Sequence, residues 1–225
     1  MKKSLVIAID GPSGAGKSTA AKLLASNLGY RYLDSGRLYR AMGWVVLQEG
    51  IDPGDPEALK NLCQKVQISL QNANGQFRIS IGEKDITDEL KTPTLDRVSS
   101  LISGVPVVRE RLYHLQRQVG SQGGVVIEGR DIGSVVFPDA DVKFYLDASV
   151  ETRAKRRYEE LKQSRHAVTL KSVEEELRSR DRRDMQRSVA PLKKAGDAIS
   201  IDTTDLTLGQ VVDTMKGEIL KKLKN

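Results

Sequence analysis

Apolar and polar positions alternate in blocks that mark out strands and helices along most of the chain. Leu5–Ile9 is an unbroken apolar run, as expected of a strand buried on both faces of a parallel sheet. A helical pattern follows from about Lys17 to Leu28, and Gly29 is placed to stop it. Tyr30–Leu33 is a short second strand, after which Leu38, Tyr39, Ala41, Met42, Val45 and Val46 recur at helical spacing, with Trp44 at the margin. The stretch Asp52-Pro53-Gly54-Asp55-Pro56 breaks that helix, and Pro56–Lys65 predicts a short one. Val66–Leu70 and Phe77–Ile81, joined through Asn72-Ala73-Asn74-Gly75, predict a β-hairpin, with Lys84–Ile86 as an added strand.

Strand–helix alternation then resumes. Leu95–Ile102 and Pro106–Val119 are helical patterns, Val125–Ile127 and Val142–Leu146 are buried strands, and Val150–Gln163 is a basic helix. A polar break near 164–169 precedes a charged helix at Ser172–Ser188. Ile199–Ile201 is a last strand and Thr207–Lys222 a last helix. Five short apolar strands separated by helices imply an α/β domain with a five-stranded parallel sheet, into which the antiparallel patch is inserted as a small subdomain.

The loop after the first strand carries the clearest chemistry. Gly11-Pro12-Ser13-Gly14-Ala15-Gly16-Lys17-Ser18 fits G-x-x-x-x-G-K-[ST] between a strand and a helix, followed by Thr19. Glycines free the backbone to turn successive N–H groups toward an anion, and the helix start adds more donors and the positive end of its dipole. Lys17 can reach β- and γ-phosphates, and the Ser18 hydroxyl is the expected Mg²⁺ ligand. With Gly at ~7% of average composition, chance gives this pattern in roughly one such chain in a hundred, so a nucleoside triphosphate is the expected ligand.

Charge sharpens the reading. Lys and Arg number 36 against 30 Asp and Glu, a net +6 in 225 residues. Arg180, Arg183, Asp184 and Arg187 share one helical face, and Arg153, Arg156, Arg157 and Glu160 repeat that spacing. Three cations with one acid per stripe are unfavourable unless an anion neutralises them, which points to phosphate. Arg130-Asp131 ends the strand Val125–Ile127, and Ser35, Tyr39 and Arg40 follow the second strand, where open α/β sheets place ligands. His114 and His166 have no second histidine at ligand spacing and are expected to be structural or surface residues. The single cysteine, Cys63, permits no intrachain disulfide and is expected in the core. Lys2-Lys3 and the five apolar residues after them are too short for a leader peptide, and no run approaches the ~20 apolar residues of a membrane span. A cytoplasmic protein is expected, with a monomer as the default.

Taken jointly, GPSGAGKST, LDSGRLYRA, EGRDIG and RDRRDMQRSVAPL, in this order, resemble bacterial cytidylate kinases over essentially the whole chain. The resemblance implies a P-loop nucleoside monophosphate kinase fold in a single domain, with core segments at about 1–62 and 98–225. It adds a nucleotide-binding insertion at about 63–97 and a mobile lid at about 153–168. It implies transfer of the ATP γ-phosphoryl group to CMP or dCMP with Mg²⁺. Ser35, Arg40 and Arg130 would hold the acceptor phosphate, with Tyr39 beside them. Ser100, Arg109, Asp131 and Arg187 would surround cytosine, and Arg180 with Asp184 would meet the sugar. Lys17, Arg130, Arg153 and Arg157 would be the catalytic cations, with Arg156 on ATP. Arg37 stands where the family more often has a small residue.

Two other readings compete. A kinase of a different small molecule, such as a sugar or shikimate, would leave Arg180, Asp184 and Arg187 without nucleoside contacts. An ATP-regulated nucleic-acid-binding protein would want aromatics beside its cations for stacking, yet Phe, Trp and Tyr make up 4% of residues. A switch GTPase would need D-x-x-G and N-K-x-D, which the sequence lacks.

Overall fold

A computed structural model describes residues 4–163 and 168–224. In chain order the elements are β1 (Val6–Asp10), α1 (Lys17–Leu28), β2 (Arg31–Asp34), α2 (Ser35–Gln48), α3 (Pro56–Lys65), β3 (Ile68–Ala73), β4 (Gln76–Ile81) and β5 (Lys84–Asp85). They continue with α4 (Pro93–Ile102), α5 (Pro106–Gly120), β6 (Val125–Gly129), β7 (Val142–Asp147), α6 (Val150–Gln163), α7 (Leu170–Gln186), β8 (Ile199–Asp202) and α8 (Leu208–Lys224). No helix among the described residues is long and apolar enough to cross a membrane.

The five parallel strands run in the order β2-β6-β1-β7-β8. The central ones are buried on both faces, which their continuous apolar runs require. On β1, Ala8 packs into the cluster beneath α2, α4 and α5, while Ile7 and Ile9 join the opposite cluster with α1 and α8. Val126 faces the second cluster, and its neighbours Val125 and Ile127 face the first.

The hairpin is not a detached patch. β4 joins the sheet edge at β2 through one parallel bridge, Tyr32 to Gln76, so the sheet extends to β3-β4-β2. Its turn is the pair Asn74-Gly75, with φ of 53° and 81°, the left-handed geometry that suits a right-twisted hairpin. α6 and α7 form a third small core of their own from Ala154, Leu161, Val173 and Leu177. That core is separate from the two that clamp the sheet, and it carries both arginine stripes.

The strand ends position the chemistry. β1, β2 and β6 finish at the same edge, where register sets Ile9 and Asp34 on either side of Glu128, and Asp10 beside Gly129. The loops following these ends form one wall of a cleft of about 1260 Å³, and α4, α6 and α7 form the other.

Candidate active site

The loop after β1 wraps inward as its sequence demands. Gly11 has φ 144° and passes so close to β7 that a Cβ there would meet the Leu146 carbonyl oxygen at 1.9 Å. Gly16, at φ 84°, caps the start of α1 in a conformation costly for other residues. Lys17 is buried, and its Nζ donates to the Pro12 carbonyl at 2.6 Å, across the mouth of the loop. Burial, reinforced by the Arg130 charge, pushes its ammonium down to about 7. An arriving phosphate would restore the proton.

Behind Lys17 lie buried carboxylates that sequence reasoning passed over. Glu128 accepts from the Tyr32 hydroxyl at 2.8 Å and from the Ser18 hydroxyl, and burial, with Asp34 nearby, raises its carboxyl above the usual range. Asp10 accepts the backbone N–H groups of Ile132 at 2.8 Å and Gly133 at 2.7 Å, and burial raises it to about 6. These two bonds anchor a turn of π-helix, Ile132–Val136, directly after Arg130-Asp131. The available signal was positional: each apolar strand run ends on a carboxylate at the ligand-binding edge.

At the other end of the cleft, Asp131 is enclosed by two arginines. Arg109 donates to it through Nη2 while its Nη1 donates to the Ser103 carbonyl at 3.0 Å. Arg187 Nη2 lies 3.5 Å from the other carboxylate oxygen, and its Nε donates to the Ala190 carbonyl at 2.6 Å. The Arg109 guanidinium also lies 5.7 Å from the Tyr39 ring centroid. Burial raises the Asp131 carboxyl, opposed by both arginines. Arg183, from the same stripe as Arg187, turns to Ser100 instead, with Nε donating to Oγ at 3.3 Å.

Between the two ends, Arg130 Nε donates to Asp184 at 2.8 Å, and Arg40 Nη2 donates to Asp34 at 2.8 Å. Asp34 also accepts the Arg37 N–H as the N-cap of α2. Arg37 Nη2 donates to the Thr87 carbonyl at 2.6 Å, in a turn of 3-10 helix at Thr87–Leu90, so its charge ties α2 to the segment after the hairpin. The Nε groups of Arg37, Arg40 and Arg180 are buried without a hydrogen-bond partner.

Most expected residues therefore meet in one cleft. Ser13 through Thr19 line one part of it, and Ser35, Tyr39, Arg40, Ser100, Arg109, Asp131 and Arg187 line another, with Arg130, Arg156, Arg157, Arg180 and Asp184 also in its wall. Arg153 does not line it. Its guanidinium donates to the carbonyls of Ala148 (3.0 Å) and Ser13 (3.1 Å) and to Asp181 (2.6 Å), beneath the phosphate loop. It shares a stripe with Arg157 but lies one turn nearer the sheet, where Asp181 claims it. Gly11 and Pro12 also lie below the cleft surface. Arg156 donates to Thr203, through Nη1 to Oγ1 and Nη2 to the carbonyl, and Thr203 in turn donates to the Ala15 carbonyl at 3.1 Å. Of the other expected residues, Cys63 is buried and His114 packs edge-on to Tyr113, while His166 and part of the expected lid lie outside the described residues.

The stripes are also less bare than their sequence implies. Arg153, Arg157 and Arg187 each meet a carboxylate from a different helix or loop: Asp181, Asp96 and Asp131. Charge that sequence spacing assigned to a ligand is thus partly neutralised within the protein.

A phosphate loop at the end of β1, a parallel sheet in the order β2-β6-β1-β7-β8 and an arginine-walled cleft define a P-loop kinase. Comparison with known proteins narrows the class. The profile of the cytidylate kinase family matches residues 7–221, and the chain belongs to that family. It is 44% identical to the cytidylate kinase of Geobacter sulfurreducens over 98% of this chain and 95% of that one. It is 47% identical to the cytidylate kinase of Bacillus pumilus, covering 94% of each. Among solved structures, a shikimate kinase from Acinetobacter baumannii superposes with a TM-score of 0.50 at 18% identity, over 98% of this chain and 95% of that one, a likeness of fold.

Proposed function

We propose that this protein transfers the γ-phosphoryl group of ATP to CMP or dCMP, forming CDP or dCDP and ADP. The observation that carries the reading is the buried Arg109–Asp131–Arg187 cluster at the far end of a cleft that begins at the phosphate loop. Cytosine presents an exocyclic amine as donor and a ring nitrogen and carbonyl as acceptors; arginines only donate and a carboxylate only accepts. A shikimate or sugar kinase would have no use for that arrangement.

The acceptor's own phosphate oxygen is the nucleophile, so the protein has to align and neutralise. Lys17 and the N–H groups of residues 13–19 take the triphosphate. Ser35, Arg40 and Arg130 hold the acceptor phosphate, Arg180 and Asp184 the sugar, and Ser100 and Tyr39 complete the base pocket. Arg157 supplies charge from the lid side, and Arg156 borders the nucleotide. Arg153 contributes by fixing Ser13. Its buried bonds to α7 and to the loop make it a positioning residue in place of a direct catalytic one.

Magnesium fits this site. The exposed Ser18 hydroxyl stands at the first turn of α1 with the Glu128 carboxylate in hydrogen-bond contact, a hard oxygen pair beside the place of the β- and γ-phosphates. When bound with ATP, the ion would neutralise charge on those phosphates. Residues at about 63–97 serve as the nucleotide-binding insertion and those at about 153–168 as the lid in this reading, and a cytoplasmic setting is where ATP and CMP occur together.

The test is ADP formation from ATP and Mg²⁺ with CMP, dCMP, UMP, shikimate and gluconate as separate acceptors. Turnover with CMP and dCMP at least ~30-fold above UMP in kcat/KM is expected, since two buried mismatches cost about 1–3 kcal/mol each. A faster rate with shikimate or gluconate would overturn the proposal.

A further inference from the structure

Asp96 lies in the first turn of α4, a helix whose start is set by Pro93 and by the Thr92 hydroxyl, which accepts from the Leu95 N–H. Its side chain is 14% exposed and forms part of the cleft wall. Three arginines from three other helices converge on it. Arg157 of α6 donates through Nη2 at 2.6 Å, Arg40 of α2 lies 3.5 Å away, and Arg180 of α7 lies 3.9 Å away. These are cations from the acceptor side, the sugar side and the lid, held around one carboxylate.

Resting on the function proposed above, we infer that Asp96 is a positioning residue that takes the place of a phosphate among Arg40, Arg157 and Arg180 and competes with nucleotides for them. Two of the three arginines have a second carboxylate: Arg40 retains Asp34 at 2.8 Å and Arg157 retains Glu160 at 2.7 Å. Arg180 is attracted first by Asp96 and then by Asp184. The carboxylate is carried on a helix whose start is capped by Thr92. An entering phosphate must therefore draw each guanidinium off Asp96, and it meets repulsion from the carboxylate as it does so. Both effects weaken the binding of substrate and product alike, and both favour departure of the product. They act on phosphate and so are indifferent to the base.

The experiment compares wild type with Asp96→Asn, which keeps shape and removes charge, and with Asp96→Glu, which keeps charge. KM for CMP and the dissociation constant of CDP should both fall about three- to fivefold in Asp96→Asn, the scale of partly exposed ion pairs. Its kcat should be equal or lower. KM for UMP should fall by the same factor, and Asp96→Glu should stay near wild type. A KM for CMP that is unchanged or raised in a folded Asp96→Asn enzyme overturns the inference, because a structural role alone predicts a rise. If Asp96→Asn does not fold, Asp96→Ser, which leaves room for water at the cleft wall, gives the same reading. Wild-type turnover of CMP tests the proposed function, whereas CDP and ADP affinities in variant against wild type test Asp96 whichever acceptor proves best.

Discussion

Replacing Asp131 by Asn removes one charge and almost no volume, so its consequences follow from electrostatics. The Asp131 side chain is 6% exposed, and those of Arg109 and Arg187 are 9% exposed each. Breaking a buried ion pair by deleting one partner typically costs 3–5 kcal/mol, because the remaining charge stays buried. Here Arg109 keeps the Ser103 carbonyl and Arg187 keeps the Ala190 carbonyl, so the loss belongs at the lower end, about 3 kcal/mol. For a chain of this size that corresponds to a fall in Tm of about 6–12 °C. Substrate selection should shift as well. A carboxylate accepts from the cytosine amine about twice as strongly as an amide oxygen does, whereas an amide can also donate to the uracil carbonyl. The kcat/KM for CMP should fall about tenfold and that for UMP should not, so their ratio narrows. Thermal unfolding and coupled ADP-release kinetics with both acceptors measure these quantities. A Tm within 2 °C of wild type together with an unchanged CMP-to-UMP ratio would refute the reasoning about this cluster.

Two further outcomes follow from the phosphate loop and the lid. Lys17 is largely neutral above about pH 7 in the free protein and becomes an ammonium beside phosphate, so ATP binding at pH 8 should take up close to one proton. Calorimetry in buffers of different ionisation enthalpy reads that uptake, and Lys17→Met should abolish it along with kcat; uptake persisting in Lys17→Met would assign the proton elsewhere. Arg153→Ala should lower Tm markedly by stranding Asp181, while Arg157→Ala, at a side chain 24% exposed against 8%, should leave Tm nearly unchanged and lower kcat. Equal Tm losses in the two variants would contradict the division of labour between them.

Much of the fold was legible because its signals are local. The apolar runs at Leu5–Ile9 and Val125–Ile127 mark strands buried on both faces, Asn72-Ala73-Asn74-Gly75 marks a hairpin connection whose turn proves to be only its last two residues, and the glycines before Lys17 mark a phosphate loop. Most of the cleft was legible for the same reason, since the motifs sit at strand ends. What escaped depends on contacts distant in sequence. The π-helical turn at Ile132–Val136 is held by Asp10, over 120 positions away. The hairpin's attachment rests on a single bridge to β2. Arg153 and Arg157 are equivalent on a helical wheel, and only the packing of α6 against α7 sends one to Asp181 beneath the loop and the other to Asp96 in the cleft. Asp96 itself, in Thr94-Leu95-Asp96-Arg97, carries no local pattern that marks it.

The most direct test of the central claim follows the phosphoryl group itself. With ATP labelled at the γ-phosphorus, Mg²⁺ and CMP, label should appear in the β-phosphate of CDP, in amounts equal to the ADP formed and with little inorganic phosphate. Label accumulating as inorganic phosphate at the same rate with or without CMP would contradict the account.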